Sequence, residues 1–159
     1  MYKNQASEKE KFMNNTLNKF ADYLKSQGFE IHTKDDNEDA VWFQIKLPNF
    51  DAAPLFFLSY TESTNTMLIM VSRMVRFRGV NTHIMQLINF FNGDPSTMNC
   101  KMFIDMNGEL VVSCSSFLDS KDPYESIIQY MDITVSALDH HLPLMIEEME
   151  NSSDPKEAE

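Results

Sequence analysis

Three groups of side chains in this sequence have types and spacings from which chemistry could be built. His140 and His141 stand side by side after Asp139, a trio that could hold a divalent metal. Adjacent helical residues diverge by about 100°, however, and paired helical ligands sit three or four positions apart. The two histidines therefore read as residues near a helix end, where positive charge suits the dipole. Arg73, Arg76 and Arg78 form a basic cluster. In an extended strand Arg76 and Arg78 share a face with Met74, while Arg73 points the other way. Such a set could grip an acidic segment or a phosphate; it could equally be a solvated strand end balanced by the chain's own carboxylates. The carboxylate pairs Asp35-Asp36 and Glu147-Glu148 fall in a turn and near the tail. Neither lies beside an expected pocket wall, so acid–base catalysis has no support. His32 and His83 are isolated in sequence.

The glycines point away from catalysis as well. There are four, each at an element boundary: Gly28 after a helix, Gly79 after a strand, Gly93 after a second helix and Gly108 in a hairpin. A phosphate-cradling loop needs several close together, so that backbone can approach the ligand. The sequence also lacks a G-x-S-x-G elbow and the H-E-x-x-H, C-x-x-C and EF-hand patterns. The expectation is no catalytic residue, no metal, no cofactor and no enzymatic activity.

Two cysteines do not make a disulfide framework. In "FIDMNGELVVS", Asn107-Gly108 suits a two-residue type I′ turn. At that register Cys114 faces Lys101 and Cys100 faces Ser115, so the thiols point to opposite sides of the sheet. An internal disulfide is then not expected, a conclusion that a one-residue bulge in the hairpin would reverse.

The elements that must position these groups are legible from periodicity. Met13, Leu17, Phe20 and Leu24 make one helical stripe, stopped at Gly28. "FEIHTK", the turn "DDNED" and "AVWFQIKL" read as a first hairpin. "LFFLSY" is wholly apolar and reads as a central strand covered on both faces. "MLIMVSRMVRF" reads as one long strand. Asn81 can cap a second helix with Ile84, Leu87, Ile88 and Phe91 on one face, closed by Asn92-Gly93 and Pro95. "MNCKMFID" and "ELVVSCSSF" form the last hairpin. Asp122, Pro123 and Glu125 open a third helix, whose stripe runs from Ile127 to Met149. Pro143 interrupts it, and a kink or an end is expected near His141. The order is α-β-β-β-β-α-β-β-α: an α+β fold, with helices packed on an antiparallel sheet. One domain over 1–150 and an acidic disordered tail over 151–159 are expected.

Composition narrows the partners. The 159 residues carry a formal charge of -11, which disfavours nucleic acid, since phosphate binding needs clustered Lys and Arg. No apolar run approaches the roughly 20 residues of a membrane helix, and the polar N-terminus lacks a signal segment. A cytoplasmic protein without membrane contact is the expectation. Twelve methionines are many for this length. They either fill irregular core gaps or offer a pliable apolar surface to a partner. At the expected register one hairpin face carries Met102, Ile104 and Val111, and the other Phe103, Leu110, Val112 and Cys114. Both are apolar; if helices cover one, a partner is a natural cover for the other. The residues marked for partner contact are Met74, Arg76, Arg78, Met102, Ile104 and Val111.

The run "INFFNGDPSTMNCKMFIDMNGELVVSCSSFLD", followed by "YESIIQYMDITVSALDHHLPLM", resembles the YbjN-like domain family. The matching positions are Leu87, Asn89, Asn92, Phe103, Asp105, Gly108, Leu110 and Leu118, and the likeness extends over about residues 8 to 149. Pro143 departs from the pattern. The resemblance implies a fold similar to type III secretion chaperones and a chaperone-like or regulatory role without catalysis. Together these readings describe a non-catalytic module that binds another protein or peptide and forms a homodimer. The competing reading is a small-ligand sensor or enzyme with an anion site near Arg76 and Arg78.

Overall fold

The computed structural model describes residues 14–34, 37–51, 53–119 and 121–152. Met13, the Asp35-Asp36 turn and the tail beyond the last helix lie outside the described residues. The elements run α1 (Asn15–Ser26), β1 (His32–Lys34), β2 (Asn37–Gln44), β3 (Leu55–Thr61), β4 (Thr66–Ser72), α2 (Thr82–Gly93), β5 (Cys100–Ile104), β6 (Leu110–Phe117) and α3 (Pro123–Ser152), with a short 3-10 turn at Pro95–Thr97. This is the expected order. The strands form one six-stranded antiparallel sheet, β1-β2-β3-β4-β6-β5.

Local chemistry sets the helix ends. Asn14 caps α1 by accepting from the Leu17 N–H at 2.9 Å, satisfying an otherwise orphaned donor. Gly28 follows the helix at φ 87°. There Phe29 N–H reaches Leu24 O and Gly28 N–H reaches Lys25 O, the paired bonds of a left-handed helix stop. Asn81 caps α2 through Ile84 N–H, and Asp122 caps α3 through Glu125 N–H.

The three helices share one core with the sheet. Leu17, Phe20 and Leu24 of α1, Ile84, Ile88 and Phe91 of α2, and Ile127, Met131, Leu138, Leu142 and Met145 of α3 are buried in it. They meet Val41, Phe43, Phe56, Leu58, Met67, Ile69, Val71, Met102, Leu110 and Val112 from the strands. Phe43 stacks on Phe56 at 5.6 Å and meets Phe20 at 5.9 Å. The Lys19 ammonium sits 4.3 Å over the Tyr124 ring and ties α1 to α3.

Four sequence expectations are corrected. First, β3 is not covered on both faces: buried and half-buried residues alternate along it, so only one face meets the core. Second, "MLIMVSRMVRF" is not one strand. The chain breaks at Arg73, φ 58°, whose N–H is taken by the Glu109 carboxylate. Pairing with the β6 side resumes at Arg76–Glu109, two residues out of the earlier register. Third, Pro143 does not end α3, which continues to Ser152. Leu142 and Met145 are buried on either side of it, and that packing outweighs one lost backbone bond.

The fourth correction is the hairpin register. Ile104 pairs with Leu110, and Asp105 N–H bonds Glu109 O at 2.9 Å, leaving Met106, Asn107 and Gly108 in the loop. Asp105 causes this. Its carboxylate accepts from Asn107 N–H at 2.8 Å and Glu109 N–H at 2.9 Å, holding an ordinary turn at Asn107 instead of a type I′ one. Gly108 then takes φ 78°, and a Cβ there would lie 2.6 Å from Phe77 O. The one-residue change swaps faces: Met102, Ile104, Leu110 and Val112 share the core side, while Phe103 and Val111 lie opposite.

Candidate functional site

The sheet's second face is where the fold leaves apolar side chains without a helix. Register alone assembles its central row: Trp42 pairs with Phe57, Phe57 with Met70, Met70 with Ser113, and Ser113 with Lys101. Leu68 lies in the next row between Ser59 and Ser115, and Leu55 pairs with Ser72 on the other side. Leu55, Phe57, Leu68 and Met70 are half-buried and none belongs to the core under the helices. The rings of Trp42 and Phe57 meet at 5.0 Å, a tilted contact typical of cross-strand aromatics.

Towards β5 the face becomes more exposed and mixed. Phe103 is 41% exposed and Phe117 79%. A shallow groove of about 650 Å³ crosses the ends of β4, β6 and β5, with Thr66, Ser115, Lys101, Met98 and Phe117 along it. Met98 is held at φ 49°, a conformation that costs a non-glycine residue free energy. Apolar side chains there lie beside hydroxyls and the Lys101 side chain.

The edge beside this face is capped at Met102. β5 ends the sheet, so half of its backbone groups would lack strand partners. The Asn92 side chain of α2 takes the place of a neighbour. Its Oδ1 accepts from Met102 N–H at 2.7 Å, and its Nδ2 donates to Met102 O at 3.0 Å. Lys101 Nζ donates to Asn92 O at 2.9 Å.

The residues marked from sequence do not form one surface. Met102 and Met74 are buried in the core and Ile104 packs against it, so they do not present the contact expected of them. Val111 lies on the opposite face and is 5% exposed. Arg76 and Arg78 are exposed. A groove of about 400 Å³ runs past Arg73 and Arg76, but it already contains the Glu109 carboxylate. Phe57, Met70, Leu55, Leu68, Phe103 and Phe117 were missed. For Leu55 and Phe57 the signal lies in the apolar start of β3, Leu55–Leu58; the others, on β4, β5 and β6, depend on how the strands pair.

The histidine trio is also divided. Asp139 accepts from Asn49 N–H at 2.8 Å and from its side chain at 2.6 Å, tying the β2–β3 loop to α3. His140 is exposed, whereas His141 is buried against Phe91, 4.9 Å between ring centres. His141 Nε2 is 3.3 Å from Asp94 Oδ2 without hydrogen-bond alignment. Burial first, and then His140, hold its pKa below the ordinary histidine value, with Asp94 opposing. At the other end of α2, His83 lies 2.8 Å from Glu148 of α3. Among the described residues no group of three or more His, Cys, Asp or Glu is placed to hold a metal ion. No helix among them is long and apolar enough to cross a membrane.

Neither a protein-family model nor a curated protein sequence matches this chain. Solved structures do. YbjN from E. coli, described as a candidate transcription regulator, is 17% identical with a TM-score of 0.59, over 84% of this chain and 93% of that one. A chain of the heterodimeric ExoU–SpcU complex from the type III secretion system of Pseudomonas aeruginosa is 16% identical with a TM-score of 0.49, over 77% and 94%. The first likeness shows that this chain has the YbjN-like α+β fold.

Proposed function

We propose that the protein is a non-catalytic, cytoplasmic module that binds another polypeptide, in a chaperone-like or regulatory role, and that it forms a homodimer. The observation that carries this reading is the apolar sheet face around Phe57, Met70, Leu55 and Leu68, on which no described helix packs. Burying such side chains yields about 25 cal/mol per Å², part of it cancelled by the cost of association. A net charge of -11 favours partners with basic flanks. The YbjN-like fold agrees with the reading. An anion site near Arg76 and Arg78 is less well supported, because Glu109 already lies in that groove.

Sedimentation velocity of the full chain over a wide concentration range tests the proposal, with Phe57→Lys and Met70→Lys as probes of the face. The wild type is expected to sediment as a dimer, and each lysine variant as a folded monomer. A wild-type chain that stays monomeric at the highest concentration removes the homodimer. Variants that remain dimeric move the contact to another surface.

A further inference from the structure

The shifted hairpin register sets Cys100 directly opposite Cys114. Both side chains lie on the helix-covered face, both are fully buried, and both are free thiols. The backbone around them identifies the kind of pair. Met102, two residues along β5, turns its N–H and C=O away from β6 and toward Asn92. Alternation then makes Met102–Val112, and likewise Cys100–Cys114, pairs that exchange no backbone bonds. In such pairs the Cα atoms come to about 4.5 Å and the side chains are closest. That separation lies within the roughly 4.4–6.8 Å that a disulfide spans.

The two thiols already act on one another. Hydrogen bonding from Cys114 is the main reason the Cys100 pKa falls to about 7, against the opposing effect of burial. The same contact, with burial, pushes Cys114 up. Thr134 Oγ1, 3.5 Å from Cys100 Sγ, adds a hydroxyl. Cys100 lies on the edge strand, whereas Cys114 lies on β6 inside the sheet, so Cys100 is the thiol that meets a small oxidant first. Access comes from the edge: Cys100 is the first residue of the outermost strand β5, two residues after the strained Met98. Local opening of that strand end would admit a small molecule.

We propose that Cys100 and Cys114 are a peroxide-sensitive dithiol that closes to a cross-strand disulfide and locks edge strand β5 onto β6. The Cys100 thiolate attacks one oxygen of hydrogen peroxide, breaking the O–O bond. This gives Cys100 sulfenic acid and hydroxide, which takes a proton to become water. Cys114 sulfur then attacks Cys100 sulfur and expels the second water as its own proton is transferred. Two thiols are oxidised, one peroxide is reduced, and two waters leave. A dithiol reductant reverses the bond.

The test uses the full chain treated with hydrogen peroxide, quenched, denatured and alkylated. Untreated protein should take the alkylating label on both cysteines. Treated protein should take none, weigh two hydrogens less, and yield linked peptides containing Cys100 and Cys114 on digestion without reduction. Amide exchange across Cys100–Ile104 should slow about tenfold on oxidation and recover with dithiothreitol. In Cys114→Ser the sulfenic acid at Cys100 should persist and be trapped by dimedone. Should that variant fail to fold, the wild-type mass and exchange measurements decide alone. Thiols that stay alkylatable, oxygen added without loss of hydrogen, or a link between two chains would each overturn the proposal. A disulfide that leaves β5 exchange unchanged overturns the lock.

Discussion

Phe56 and Phe57 are neighbours in the chain and opposites in the fold. Phe56 is fully buried, its ring stacked on Phe43 on the side of the sheet that the helices cover. Phe57 is half-buried and meets the Trp42 ring on the other side. At Leu55–Leu58 both rows of β3 are apolar, so composition does not distinguish these two phenylalanines; three amphipathic helices, all on one side, do. The difference teaches that an apolar strand face can be a finished core or a surface awaiting a second protein. What lies over it decides which.

The largest test of that contrast is a pair of truncations. Phe56→Ala should lose about 3–5 kcal/mol, because it removes a fully buried ring and leaves a cavity. Phe57→Ala should lose about 1 kcal/mol at most in the monomer, since its ring surrenders only partial burial. Urea unfolding of each, compared with the parent at equal concentration, measures both. Equal losses would break the contrast and show that the second face is also core.

A smaller effect should come from the rim of the covered face. Asn92→Ala leaves Met102 N–H and C=O without their amide partner, at a cost of about 1–3 kcal/mol. It also opens the β5 edge to another strand. Unfolding measures the first consequence; faster amide exchange at Met102 and aggregation during storage measure the second. A silent substitution would mean that water replaces the side chain and that the edge was never closed by it.

The smallest expected effect is titration of His141 between α2 and α3. Burial holds its folded pKa below the unfolded value of about 6.5. The native state therefore favours the neutral imidazole. Its contribution to stability is complete above about pH 6.5 and is lost as pH falls through the folded pKa. The urea midpoint should decline over that window, and His141→Phe should flatten the decline. An identical decline in the variant would assign it to other groups.

Much of the frame was legible before any coordinates. Leu17, Phe20 and Leu24, then Ile84, Ile88 and Phe91, then the stripe from Ile127, each repeat at the helical period. The caps at Asn81 and Asp122 were legible too, because such side chains bond free amides locally; the cap at Asn14 was not. The β5 end of the second sheet face was less legible. It depends on register, and register turned on Asp105, whose carboxylate takes two loop amides and lengthens the turn by one residue. That single step moved Met102 into the core, Phe103 out of it, and Cys100 beside Cys114.

Neighbours within a few residues are enough to specify the element order, the stop at Gly28, the caps at Asn81 and Asp122, and the lack of any recognised catalytic motif. Only the tertiary structure decided which sheet face the helices cover, that α3 passes through Pro143, and which cysteine faces which. Those outcomes depend on contacts between distant segments. There, packing and strand register outweigh the local preferences that a sequence displays.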